Sequence, residues 1–279
     1  MQSSLCSGGI FIPPWACLQN GLENAKQREV GLMSFLKRLF GGSSGGKRMA
    51  PAPDQYFDAD LAPDAPVFVV GDLHGCMRQM EDLQSQMRVF DGDAHQVYVG
   101  DYVDRGEHSA DVLRHLYARR DDPTITCLTG NHEDMLLGFL DQPMVKGPRW
   151  LRYGITTSSS EAEFEEKASA LYDAMGEDMV QWLRDLPTKW ESGNVVVVHA
   201  GADPALPMTL QAEKTLKWGH PDFFRLARTD DTWVVHGHTI VEQANATLGR
   251  IAVDTGAYAT GRLTAAYVAP DGLHFLHAG

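Results

Sequence analysis

Val67-Phe68-Val69-Val70-Gly71-Asp72-Leu73-His74-Gly75 decides how this chain is read. Four apolar residues, mostly β-branched and stopped by glycine, predict a short buried strand ending in a tight turn. That turn carries an acid and an imidazole. The arrangement recurs along the chain. Val97-Tyr98-Val99 runs into Gly100-Asp101-Tyr102-Val103-Asp104-Arg105-Gly106, and Ile125-Thr126-Cys127-Leu128-Thr129 runs into Gly130-Asn131-His132-Glu133. Val195 to Val198 ends in His199-Ala200-Gly201, and Trp233-Val234-Val235 ends in His236-Gly237-His238. In layered α/β proteins ligands sit beyond the carboxyl ends of the strands, so side chains on five such ends can meet at one point. Carboxylate, imidazole and amide oxygen suit hard-to-borderline divalent metals, not an iron–sulfur cluster or a thiolate zinc site. The pattern points to a metal-dependent hydrolase.

Between these ends the chain alternates strand and helix. Asp72 to Asp101 is 29 residues and Asp101 to Asn131 is 30, about one βαβ step each. Met77, Met80, Leu83 and Met87 give the first intervening helix an apolar stripe, and Leu113, Leu116 and Tyr117 do so for the next. Residues 133–190 read as mostly helical and offer no ligand cluster, which makes them a cap beside the site, placed at about 141–190. Strands return after Val195 and include Arg250 to Val253 and Leu263 to Val268.

Length and composition fit an ordinary globular protein. The 279 residues are 43% hydrophobic and 22% charged, with ample material for a core. No apolar run approaches the ~20 residues that span a bilayer. Cys6, Cys17, Cys76 and Cys127 form no C-x-x-C pair, which suits a reducing cytoplasm. A net charge of −13 argues against a nucleic-acid partner, which would call for a basic stripe. Phosphorylated substrates remain open, because bound metals and one arginine reverse the field inside a site.

Residues 1–65 read as a flexible N-terminal segment and linker, and 66–279 as the folded domain. Residues 1–50 carry a net +4 against −17 for the rest, a foreign composition. Leu32, Phe35, Leu36, Leu39 and Phe40 recur at helical spacing, more simply a frayed helix than a membrane anchor. Gly41-Gly42-Ser43-Ser44-Gly45-Gly46-Lys47-Arg48 nearly matches a phosphate-binding loop, but Arg48 replaces the hydroxyl residue and no strand precedes it. It reads as linker.

The motifs G-D-L-H-G, G-D-Y-V-D-R-G and G-N-H-E, with His199-Ala200-Gly201, Gly237-His238-Thr239 and Asp254-Thr255-Gly256-Ala257, resemble the calcineurin-like metallophosphoesterases. Within them they look like the bacterial and phage serine/threonine phosphoprotein phosphatases. The resemblance covers Pro66 to the C-terminus and implies an α/β fold, a four-layer α/β/β/α sandwich with a small helical cap. It also implies two divalent metal ions, manganese first, with iron or zinc as alternatives. Asp72 and His74 would hold one, Asp101 would bridge, and Asn131, His199 and His238 would hold the other. His132, on the same turn as Asn131, is the candidate general acid, Asp104 its orienting carboxylate, and Arg105 a fork for phosphate oxygens. Glu133 supports the turn at a helix start, and His236 stays ambiguous beside His238.

The implied activity is phosphomonoester hydrolysis by metal-bound hydroxide, on a phosphorylated protein or a small phosphoester. Two alternatives stand beside it. A diadenosine tetraphosphate-type hydrolase shares G-D-x-H-G-C and G-N-H but usually lacks an acid at the place of Asp104. A non-catalytic phosphate-binding scaffold would not need every ligand, acid and base type. Two departures from the family pattern bear on substrate. Trp218-Gly219-His220-Pro221 lacks a second phosphate-binding arginine, leaving His220 or Arg225 to replace it, and Tyr153-Gly154-Ile155-Thr156 stands where a glycine pair is common.

Overall fold

The structure is a computed structural model and describes residues 56–153 and 161–279. The segment at 32–40, the glycine run at 41–46, Cys6, Cys17 and the departure at 154–156 lie outside the described residues.

Strand β1 (Val67–Val70) shows why so short a run is so apolar. Its side chains alternate between two interiors. Val67 and Val69 enter one core with Val97, Val99, Val195, Val197, Val235 and Ile251. Phe68 and Val70 enter another with Met80, Leu83, Met87, Val112 and Leu116. The strand is buried on both faces, as a strand with sheet on one side and helices on the other must be.

β1 is the centre of a five-stranded sheet of order β10-β9-β1-β2-β3. It runs parallel to β2 (His95–Tyr98), with Val67 opposite His95, and β2 runs parallel to β3 (Ile125–Cys127). The antiparallel hairpin of β9 (Leu263–Ala269) and β10 (Gly272–Ala278) closes its other side, with Val67 opposite Val268. The crossovers are helices α1 (Met77–Asp91) and α2 (Ser109–Tyr117). Met80, Leu83 and Met87 are buried on α1, and Leu113 and Leu116 on α2, the stripes expected from the sequence.

A second five-stranded sheet lies against the first, with order β4-β5-β6-β8-β7. It consists of β4 (Lys189–Ser192), β5 (Val195–Val198), β6 (Trp233–His236), β7 (Asn245–Thr247) and β8 (Arg250–Ala252). Val195 and Val197 face the first sheet, while Val196 and Val198 face Leu216 and Phe223 on the outside. The layers are therefore helix, sheet, sheet and helix.

After β3 the chain forms α3 (Asn131–Asp141), α4 (Pro143–Tyr153), α5 (Glu161–Met175) and α6 (Glu177–Asp185). Phe139 of α3 stacks on Trp150 of α4 at 4.5 Å and meets Phe164 of α5. Arg184 holds Asp141 through both guanidinium nitrogens, at 3.0 and 2.5 Å. These ties fix the helical segment to α3, whose first turn carries Asn131 and His132.

Residues 56–65 depart from the free linker expected there. Phe57 meets Trp233 edge to face at 5.0 Å, and Trp233 Nε1 donates to Ala59 O at 2.8 Å. Asn194 accepts from Ala62 N and donates to Asp60 O, both at 2.8 Å. Scattered aspartates and a proline concealed a segment that is held by side-chain amide and indole groups at the second sheet.

Candidate metal centre

The strand ends meet as the sequence pattern requires. Asp72 and His74 follow β1, Asp101 follows β2, Asn131 and His132 open α3 after β3, His199 follows β5 and His238 follows β6. Because β2 lies between β1 and β3, Asp101 is central. The loops are stitched by backbone hydrogen bonds from His74 N to Asp101 O at 2.8 Å and from Gly75 N to Tyr102 O at 3.0 Å. His74, Asp101, Asp104, Arg105 and His238 all have φ between 41° and 70°, five of the seven non-glycine residues with positive φ among the described residues. Such backbone costs about 1–3 kcal/mol apiece and persists where the surroundings fix it. Gly237 is a matching constraint: any Cβ there would strike the Asp72 carboxylate.

Asp101 divides its oxygens. Oδ2 lies 3.5 Å from His74 Nε2 and 3.8 Å from His132 Nε2, while Oδ1 lies 3.4 Å from His199 Nε2. The ligand atoms of His74, Asp101 and His132 lie within 4.8 Å of one another, as do those of Asp101, His199 and His238. Asp72 is placed differently from His74, with both oxygens on the His238 N–H at 3.0 and 3.1 Å.

The histidines are pre-oriented. His74 Nδ1 donates to Val103 O at 2.7 Å and His199 Nδ1 donates to Val99 O at 3.0 Å, since a carbonyl can only accept. Burial holds both well below the usual imidazole range, so each turns a bare Nε2 inward. His199 Nε2 and Asn131 Oδ1 then face each other at 2.9 Å, lone pair to lone pair. Burial, and next the charge of Asp254, raise Asp72 well above the carboxylate range, and burial pushes Asp101 up to about 8. Burial also brings His238 down to about 4. Acids that resist ionising beside imidazoles held neutral form a donor set that a divalent cation would reconcile.

His132 is set apart from the other histidines. Its Nδ1 is 2.6 Å from Asp104 Oδ2. Burial opposes its charge, but the Asp104 hydrogen bond and the nearby carboxylates leave it raised above the ordinary value. Glu133 goes beyond the support expected of it. Fully buried, it accepts from Asp101 N and Tyr102 N at 2.8 Å and from Gly130 N at 3.0 Å, clamping the central loop to α3. Arg105 Nη1 donates to Tyr258 OH at 2.7 Å with its guanidinium over that ring. His236 resolves as a core residue, packed edge-on against Phe223 and Phe224.

Two residues at the site were given no role by the sequence reading. Asp254 is buried beyond the end of β8 and is pushed up to about 6 by burial. The signal was present, since Asp254 follows a short apolar strand, as Asp72 and Asp101 do, and opens the Asp254-Thr255-Gly256-Ala257 motif. Tyr258, on the short helix α8 (Ala257–Thr260), lies 5.3 Å edge-on from His74, and nothing in its local sequence marks it. Both proposed replacements for a second arginine stand beside an acid. His220 is 3.6 Å from Asp203, and Arg225 pairs with Asp222 at 3.0 Å. The arginine that reaches Trp218, at the end of α7 (Glu213–Trp218), is Arg149, 4.3 Å above its ring.

Residues 65–261 match the sequence family described as calcineurin-like phosphoesterase. The asymmetrical bis(5'-nucleosyl)-tetraphosphatase of Bacillus velezensis is 27% identical over 221 residues, covering 70% of this chain and 86% of that protein. A crystal structure described as a candidate diadenosine tetraphosphatase superposes with a TM-score of 0.57 at 23% identity, over 80% of this chain and 99% of that one. The cold-active protein-tyrosine phosphatase of a psychrophilic Shewanella does so with a TM-score of 0.52 at 20% identity, over 84% and 88%. At such identities the two structures speak for the fold alone. No helix of the described residues is long and apolar enough to cross a membrane. With a family match spanning most of its length and that family's fold beneath it, the chain belongs to the calcineurin-like phosphoesterases, metal-dependent hydrolases of phosphoesters.

Proposed function

We propose that this protein cleaves the phosphoanhydride chain of dinucleoside polyphosphates. The likeness to a bis(5'-nucleosyl)-tetraphosphatase along 86% of that protein's length carries the reading. It displaces the serine/threonine phosphatase activity that the motifs first suggest. Asp104 still speaks for a phosphatase, and the likeness along most of the relative's length is weighed above it.

Asp101 would bridge two divalent ions, manganese, iron or zinc, with Asp72 and His74 on one side and Asn131, His199 and His238 on the other. When bound, the ions neutralise the phosphoryl oxygens and lower the pKa of an attacking water. Arg105, fixed by Tyr258, presents its planar fork to the phosphoryl oxygens. His132 gives its Nε2 proton to the departing oxygen, with Asp104 holding the opposite ring nitrogen. A nucleoside phosphate leaves as a stabilised anion and asks little of that acid. Cys76 and Cys127 are buried free thiols, which fits a reducing compartment such as the cytoplasm.

The short His132–Asp104 contact favours a second reading, a serine/threonine phosphatase, whose basic alkoxide leaving group needs a supported acid. The purified protein should be assayed with manganese against diadenosine tetraphosphate and phosphoserine and phosphothreonine peptides. The proposal expects the dinucleotide to have the higher kcat/KM by at least tenfold. A higher value for any phosphopeptide would reverse the order.

A further inference from the structure

A cleft of about 430 Å³ lies between α3, α4, α6 and the end of α7, lined by Asp134, Asp141, Lys146, Arg149, Arg184 and Trp218 among others. Its lining starts on α3, the helix whose first turn carries Asn131 and His132. Asp134 stands two residues beyond His132 on α3, and the Trp218 indole donates to its Oδ2 at 3.2 Å. α7 is joined to the His199 strand end by the hydrogen bond from Ala200 N to Leu216 O at 2.8 Å.

The charges in this cleft sort into two groups. Asp134 is occupied by Lys217 at 2.6 Å, and Asp141 by Arg184. Lys146 and Arg149 have no acid partner among the described residues. Arg149 sits over the Trp218 ring, and the Lys146 stem runs past Gly138, where a Cβ would sit 3.6 Å from Lys146 Cγ. In a chain of net charge −13, a wall whose two carboxylates are each taken by a cation, with Lys146 and Arg149 left over, carries local positive charge suited to an anion. Asp134 and Met135, two and three residues after His132 on α3, line it, so the cleft and the proposed general acid share one short helix.

We infer that this cleft binds the polyphosphate chain beyond the bond that is cut, with Lys146 and Arg149 as phosphate-binding residues and Trp218 as the platform that holds the Arg149 guanidinium. The inference rests on the proposed dinucleoside polyphosphate activity and identifies what lets the site prefer it. Arg149 supplies a planar fork and Lys146 a mobile point charge, which together follow a bent chain of phosphates better than a single phosphoryl group.

The test uses the full-length protein at fixed free manganese, with nitrophenyl phosphate as reporter. Inorganic tripolyphosphate and orthophosphate are the competing inhibitors. Wild type should bind tripolyphosphate at least tenfold more tightly than orthophosphate. Lys146→Ala/Arg149→Ala should shrink that ratio by about 10-fold to 100-fold, the scale of one or two lost charge-assisted hydrogen bonds. Lys146→Arg/Arg149→Lys should restore most of it, which a merely structural role would not predict. The ratio of kcat/KM for diadenosine tetraphosphate to that for nitrophenyl phosphate should fall in step. An unchanged inhibitor ratio overturns the subsite, as does an equal fall in Arg78→Ala, an exposed arginine on α1. If wild type leaves the dinucleotide intact while the inhibitor ratio still falls in the double variant, the subsite stands and the proposed substrate does not.

Discussion

Asp101 turns one oxygen to His74 and His132 and the other to His199, so its charge is shared across the site. An amide cannot serve two cations in that way. Asp101→Asn should therefore lose both metal ions on dialysis at limiting metal, whereas Asp72→Asn and His238→Ala should each mainly lose one. Elemental analysis of the three variants checks this, and equal losses in all three would remove the bridge. His132 is the complementary case. Its Nδ1 is held by Asp104 and its Nε2 is assigned to the leaving group, so His132→Asn should keep its metal while turnover falls by roughly 10²–10⁴-fold, and loss of metal would make it a ligand, as its place beside His74 and Asp101 also allows. The loss should be smaller for nitrophenyl phosphate, whose leaving group needs little protonation, and a uniform loss across leaving groups would indicate positioning instead. At this scale the sequence was largely legible, because each candidate ligand sits directly behind a β-branched run. Asp254 obeyed the same rule and was passed over. Tyr258 did not, since its nearness to Arg105 and His74 is a tertiary contact without local periodicity.

The elements that carry these residues are short, and what keeps them aligned is mostly backbone hydrogen bonding. Glu133 accepts three N–H groups from the loops after β2 and β3 while lying fully buried. Glu133→Gln replaces one acceptor oxygen by a donor and leaves at least one buried N–H facing another. An unmet buried group costs about 1–3 kcal/mol, so about 2–3 kcal/mol is expected here. For a domain of this size that lowers Tm by roughly 5–10 °C in a thermal melt. Because the Asp101 loop loosens as well, metal affinity should fall in the same variant even though Glu133 is not placed as a ligand. Unchanged melting would show that the clamp is dispensable. The strands and helices around it were legible from periodicity, since β1 alternates between two interiors and α1 keeps one stripe. The left-handed backbone at His74, Asp101, Asp104, Arg105 and His238 was not, because positive φ is uncommon in any non-glycine residue and the modest preference of Asp and His for it does not single out these positions. It is imposed by the loops packing against one another.

At the scale of the whole molecule, the point where the packed chain begins is set by contacts that composition hides. Residues 56–65 carry three aspartates and a proline and show no regular apolar period, yet they cross the second sheet and answer its unmet groups. Asn194 uses its amide on Ala62 N and Asp60 O, Trp233 gives its indole N–H to Ala59 O, and Gly193 N donates to Asp64 at 3.0 Å. Phe57 covers Trp233, and Gly249 makes room for it, since a Cβ there would meet the Phe57 ring at 2.6 Å. A chain beginning at Pro51 keeps all of this, whereas one beginning at Pro66 keeps none. The ring pair contributes about 0.5–1.5 kcal/mol beyond its buried area. Each hydrogen bond lost to partly screened groups adds about 0.5–1.5 kcal/mol. The shorter chain should thus be less stable by on the order of 3 kcal/mol, a Tm lower by roughly 6–12 °C. None of the site candidates precedes Asp72, so turnover per folded molecule at low temperature should be the same for both chains. Melting curves and kcat measured on the two chains side by side separate the outcomes. Equal melting would mean that the 56–65 contacts add nothing to stability. A fall in kcat without a fall in Tm would place this segment in the chemistry instead.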